Sequence, residues 1–121
     1  MQYIAKEPKN TEKHFWTEHS KAKLKQYGLS PARVIRVINY PKRHEEAIVP
    51  TCHACMQQIG NKQKTEIWVM YQLIKKNKVQ ITDSQYRFKI ITAWRYPGIT
   101  KPGTPIPIPE DIQNELEQII K

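Results

Sequence analysis

The sequence predicts an α+β domain: two short N-terminal helices packed on a twisted antiparallel sheet of about four strands, then a proline-rich linker and a C-terminal helix. Three observations predict it. Apolar residues recur at helical spacing, between good caps, as far as Pro41. Beyond Pro41 the runs become rich in β-branched and aromatic residues. Five of the nine prolines then crowd into Pro97–Pro109, which no central strand accommodates. A chain of 121 residues buries roughly two-thirds of its unfolded surface and is too short for two cored domains. Its 39% hydrophobic and 26% charged residues are a globular composition.

Residues 1–13 are polar and aperiodic and read as a flexible arm. Residues 14–97 form the expected α+β domain, and 98–121 the proline-rich segment with its helix. The first helix follows Thr17, a suitable N-cap, and stops before Gly28. Trp16, Ser20, Leu24 and Tyr27 share its packing face, and His19, Lys23 and Gln26 form an adjoining, wetter stripe. The second helix has Ser30 as N-cap, Pro31 in first position and Pro41 as terminator. Val34, Val37 and Ile38 make its buried stripe, with Arg33 and Arg36 outside it. Strands are expected at Arg43–Val49, Cys52–Ile59, Thr65–Ile74 and Tyr86–Tyr96. The Thr65 run, apolar on both faces, belongs in the middle of the sheet. Lys75–Lys78 reads as a charged hairpin tip and Asp83–Ser84 as a second turn. In the last helix Glu110 and Asp111 suit the N-terminal dipole. Ile112, Leu116, Ile119 and Ile120 make one apolar face, which docks on the sheet or grips a partner.

The net charge of +9 points to a polyanionic partner, most often nucleic acid. No apolar run reaches the 18 or so residues of a membrane span, and residues 1–10 lack a secretory h-region, so a cytoplasmic protein is expected. Its two cysteines then read as thiols. Cys52-His53-Ala54-Cys55 supplies only two of the four ligands that zinc prefers, and strand alternation sends the two thiols to opposite faces. Neither a phosphate-cradling glycine loop nor a G-x-S-x-G elbow occurs, which argues against nucleotide hydrolysis and serine-nucleophile chemistry. No cofactor or metal is expected.

The set with chemical potential is basic. His19 and Lys23 lie one helical turn apart, Arg43 and His44 open a strand, and Arg95 ends the last one. A histidine is the natural proton carrier near neutral pH, and cations offset charge growing on a scissile phosphate. RNA supplies its own 2′-hydroxyl nucleophile, so such a site needs no metal. His19, Lys23, Arg43 and Arg95 are therefore the expected catalytic set. Arg33, Arg36, Lys42, His44, Tyr71 and Tyr96 are the expected RNA contacts, the tyrosines as stacking platforms. Two alternatives stand beside this: a non-catalytic nucleic-acid binder using the same face, and a zinc-stabilised interaction domain built on Cys52 and Cys55.

The order of these segments carries a resemblance over about residues 16–98. His19 is followed by Lys25-Gln26-Tyr27-Gly28-Leu29-Ser30, by Val34–Pro41, by Arg43–Val49, by Glu66-Ile67-Trp68-Val69-Met70 and by Ile90–Arg95. This pattern resembles an uncharacterised bacterial domain family similar to the BrnT toxins, within the RelE/ParE-like toxin superfamily. The resemblance implies two helices on a twisted antiparallel sheet. It implies a toxin-type, metal-independent RNA endonuclease acting on free or ribosome-bound mRNA, with a protein antitoxin as partner. By position it matches His19 to the helix-one histidine, Lys23 to a helix-one basic residue, Arg43 to the basic strand entry and Arg95 to the end of the last strand. The Lys75–Gln85 tip and the tail from Pro97 depart from the pattern. The same fold hosts members with other targets, so function does not follow from it.

Overall fold

The computed structural model describes residues 7–46, 52–75 and 86–120. Along the chain run β1 (His14–Trp16), α1 (Glu18–Tyr27), α2 (Pro31–Asn39), β2 (Arg43–Glu46), β3 (Cys52–Ile59), β4 (Thr65–Lys75), β5 (Tyr86–Tyr96) and α3 (Glu110–Ile120). The α+β class stands. The sheet differs from expectation: it has five strands in the order β1-β5-β4-β3-β2 and is mixed, because β1 pairs parallel with β5. The extra strand begins directly after the expected arm, where three residues are too few to show a period. The arm's last residues are fastened as well. Asn10 Oδ1 accepts from Trp16 N at 2.8 Å, Thr11 Oγ1 from His14 N at 3.1 Å, and Arg87 donates to Thr11 O. The Ala47–Val49 end of the first expected strand, most of the Lys75–Lys78 tip and the Asp83–Ser84 turn lie outside the described residues.

Local chemistry explains the helices. Thr17 accepts from Ser20 N and Ser30 from Arg33 N, each satisfying an orphan N–H of a first turn. Gly28, at φ 64°, closes α1 in the left-handed region, and Leu29 N donates back to Leu24 O at 2.9 Å. The Thr17 hydroxyl also donates to Ile90 O and Ile91 O, where β5 carries a bulge opposite Met70 and Tyr71. The cap of α1 thus fills an irregularity of the sheet and sets the helix along β5 beyond the short β1.

Both faces of the sheet are apolar. On the first face Ile67, Val69, Tyr71, Cys55, Ile90 and Ala93 pack under Leu24, Leu29, Val34, Val37 and Ile38 of the two N-terminal helices. On the second face Met56, Trp68, Met70, Ile91 and Trp94 pack under Ile112 and Leu116 of α3, with Ile106 and Ile108 from the proline-rich segment. Trp68 and Trp94 are both 0% exposed and stack 6.1 Å apart. The segment after Tyr96 is therefore a cover of the sheet and not a free linker. The terminal helix folds back on its own domain.

The cover is locked by a buried carboxylate. Glu66 on β4 is 0% exposed and accepts from Trp68 Nε1 at 3.1 Å, from Thr100 N at 3.0 Å and from the Thr100 hydroxyl. A buried charge without such partners would cost several kcal/mol, on the order expected for an unpaired ion. Because α3 covers tryptophans, Ile112→Ala is expected to destabilise the whole domain by about 2–5 kcal/mol, not merely to fray its tail. Urea unfolding followed by tryptophan fluorescence checks this: a single transition at a lower midpoint is expected.

Candidate nucleic-acid interface

The structure brings two of the four expected catalytic residues together and leaves the other two on opposite faces of the sheet. His19 and Lys23 project from α1 toward α3. His19 Nδ1 lies 3.0 Å from Glu115 Oε2, and Nε2 lies 3.1 Å from Thr92 Oγ1. One ring nitrogen thus faces a carboxylate and the other a threonine hydroxyl. Burial holds the His19 pKa below its ordinary value; Glu115 opposes this, Lys23 adds to it and Asp111 opposes it. Lys23 is only 5% exposed, and its ammonium meets Asp111 Oδ2 at 2.8 Å, Gln26 Oε1 at 2.9 Å and Glu115 Oε2 at 3.3 Å. The first two are hydrogen bonds and the third is an ion pair. Burial works against the Lys23 charge, yet its contacts with Asp111 and Glu115 outweigh burial and leave the pKa above ordinary. Asp111 in turn is held below the usual carboxylate range, chiefly by that hydrogen bond.

Arg43 lies on the second face. Its guanidinium is 5.2 Å from the Trp68 ring centroid and bonds Glu45 Oε2 at 2.8 Å, Thr100 Oγ1 at 3.1 Å and the Thr104 carbonyl. Thr100 passes the link on to Glu66, so Arg43 fastens the strap after β5. Arg95 pairs in register with Ile67, a residue of the first face, and so stands on the other side of the sheet. A single patch holding His19, Lys23, Arg43 and Arg95 is therefore not assembled. The expected stacking tyrosines also sit in packing. Tyr71 is 7% exposed, and Tyr96 packs against the second apolar layer.

The cation pair that does converge is Arg33 with Arg95. Both are half-buried and line a cleft of about 230 Å³ with Gly28, Leu29, Ser30, Ile59 and Ile67. No acidic residue lines it. Among the described residues no carboxylate pairs with either arginine. Exposed Lys62 and Lys64 follow on the turn that leaves Ile59, and exposed Arg36 lies one helical turn beyond Arg33. A larger cleft of about 480 Å³ opens on the second face between Lys42, Arg43, Gln58 and the strap. There Arg43 is already neutralised by Glu45 and Lys42 donates to Gln58 Oε1 at 2.7 Å. Charge is thus segregated: α2 holds two arginines and no acid, whereas α3 holds four carboxylates and no cation.

Across the first face runs a row of rings, one per strand. His44, His53 and Tyr71 stack at centroid distances of 5.1 and 5.4 Å; Phe88 meets Tyr71 edge-on at 5.2 Å and His14 at 5.5 Å. His44 is exposed at the β2 edge, and its only ring neighbour among the described residues is His53. Cys52 and Cys55 face opposite layers, so one ion cannot take both thiols, and burial pushes the Cys55 thiol up to about 12. Among the described residues no cluster of three or more His, Cys, Asp or Glu could hold a metal ion. No helix among them is long and apolar enough to cross a membrane.

Sequence reasoning missed Tyr40, which is 74% exposed at the end of α2. Its signal was present: Arg33, Arg36 and Tyr40 recur at i, i+3 and i+7. Comparison of the chain with protein-family models, with curated proteins and with solved structures finds no match in any of the three.

The histidines set an acid limit. Burial lowers the pKa of both His14 and His19 below 6.5, so the unfolded chain takes up protons first. This contribution to stability is present above about pH 6.5 and is lost as pH falls through the folded-state values. Urea midpoints at about pH 7.5 and about pH 5.5 should therefore differ, with the lower stability in acid, and His19→Gln should flatten the difference.

Proposed function

We propose that this chain is an RNA-binding domain that grips sugar-phosphate backbone with the Arg33–Arg95 cleft and the α2 face beside it. One observation carries the reading: two arginines with no carboxylate partner among the described residues converge on one cleft, in a chain whose acidic helix lies over the opposite face of the sheet. Guanidinium groups suit phosphate because their planar N–H forks match its oxygens. Lys62, Lys64 and Arg36 extend the cationic area for a polymer instead of a lone ion. Of the two nucleic-acid readings, binding is favoured over cleavage. The proton carrier that a nuclease would use, His19, has both ring nitrogens engaged under α3. The toxin-type assignment and its antitoxin partner stay as implications of the resemblance and add nothing to this argument.

Fluorescence anisotropy with labelled poly(U) over a series of salt concentrations tests the proposal. Affinity should fall as salt rises. Arg33→Ala with Arg95→Ala should weaken binding about ten-fold or more and reduce the salt slope by roughly one for each phosphate contact removed. Glu110→Gln with Glu117→Gln, on the acidic helix, should leave binding within about two-fold, since neither lies near the cleft. Equal affinity of the arginine variant and the parent protein would overturn the assignment of the site.

A further inference from the structure

Resting on that RNA-binding reading, we infer that the α2 face accepts RNA as a single strand, with Tyr40 and His44 as stacking sites for unpaired bases. Two independent features point there. Arg33 and Arg36 lie one turn apart on α2 and Tyr40 caps the end of that helix, so the cations that begin at the cleft are followed by an aromatic ring. Tyr40 follows Arg33 by seven positions, a span of roughly 10 Å at the helical rise. That ring is 74% exposed, the most exposed of the large apolar side chains described. Its backbone is held from both sides: Tyr40 N donates to Arg36 O at 2.9 Å, and Gln57 Nε2 donates to Tyr40 O at 2.8 Å. Pro41 follows and stiffens the exit from the helix. A ring displayed from a fixed backbone loses little freedom when a base settles on it.

The second feature begins four residues further on. His44 is the exposed terminal ring of the His44–His53–Tyr71 column, with His53 stacked 5.1 Å away on its inner side. A nucleobase placed on its outer face extends a column that the sheet has already built. Base-on-aromatic stacking of this kind is tolerant of sequence, because every base has a π-face. It is also closed to a duplex, whose bases are already stacked on one another and offer only groove edges and backbone. Tyr40 and His44 flank the passage from α2 into the edge strand β2, and Lys42 lies between them, exposed. The Arg33–Arg95 cleft binds phosphate of either form. The aromatic pair is what makes the surface prefer a single strand.

The test compares the parent protein, Tyr40→Ala/His44→Ala, Tyr40→Phe/His44→Phe and Arg33→Ala/Arg95→Ala. Each is titrated against labelled single-stranded poly(U) and against a self-complementary RNA duplex of equal length. The parent protein should bind the single strand more tightly. The alanine pair should lose about ten-fold or more in single-strand affinity with duplex affinity unchanged, and the phenylalanine pair should restore single-strand binding to within about two-fold. Both residues are exposed, so melting temperatures should stay level and exclude a folding defect. Tighter duplex binding by the parent, or no effect of the alanine pair, or an equal loss on both RNAs, overturns the inference. The Arg33→Ala/Arg95→Ala variant separates the two levels. If it weakens both RNAs while the alanine pair changes neither, the RNA-binding reading stands and the stacking sites fall. If the parent protein binds neither RNA, both fall.

Discussion

The structure turns on one constraint: the five-stranded sheet is apolar on both faces and must be covered twice. A helix pair covers the first face. The second presents Met56, Trp68, Met70 and Trp94, and the segment after Tyr96 hides them. Burial of two tryptophan side chains is a large apolar contribution, at roughly 25 cal/mol for each Å² removed from water. The proline-rich segment, stiff and short of N–H donors, crosses the sheet without needing a ladder of its own. The Glu66 carboxylate gives it one polar anchor through Thr100, and Arg43 closes the network from β2. Once α3 has docked, its carboxylates meet the cations of α1.

That second cover decides what the charged residues are for. Asp111 and Glu115 consume Lys23 and engage His19, and Glu45 and Thr104 consume Arg43. Three of the four residues that looked catalytic are thereby fasteners between the sheet, α1 and the tail. A buried ion pair of this kind is weak evidence for extra stability, because desolvation offsets most of its Coulombic gain. What it does supply is register, since Asp111 and Glu115 must both find their partners for α3 to seat. The positive charge left over is not spread evenly. Among the described residues it gathers away from the acidic ones, along α2 and around the cleft with Arg95. Functional potential follows from this residue of uncompensated charge more than from any one motif.

Much of the fold was legible before any coordinates. The caps at Thr17 and Ser30, the stop at Gly28, the bounds of β3 and β5 and the terminal helix were all readable, because each rests on residues within a turn or on a period of two or 3.6. β1 was not legible, since three residues carry no period and its partner lies more than seventy positions away. The bulge in β5 was equally silent, being a property of strand register. The site was read less well. His19 and Lys23 were rightly placed on one stripe of α1, but nothing local says that the stripe faces carboxylates 88 positions on, as the Lys23–Asp111 bond does. Glu66 had a signal that went unused: it alternates in step with Trp68 and Met70, so it had to enter an apolar layer. Tyr71 was misjudged for the reverse reason. A strand aromatic is a platform only if its face is open, and two neighbouring rings occupy it.

Local sequence sets the inventory: an α+β chain with a positive surplus, two capped helices, strongly apolar strands, a proline break and an acidic terminal helix. These are short-range consequences of side-chain shape, backbone restriction and periodicity, and they need no partner across the fold. Packing across the fold set which cations have no carboxylate partner among the described residues. Strand register put Arg43 and Arg95 on opposite faces, and the docking of α3 neutralised one basic cluster while leaving Arg33 and Arg95 together. Charge compensation is a through-space property, set by which residues the sheet and the last helix bring within a few ångströms, and no spacing along the chain encodes it.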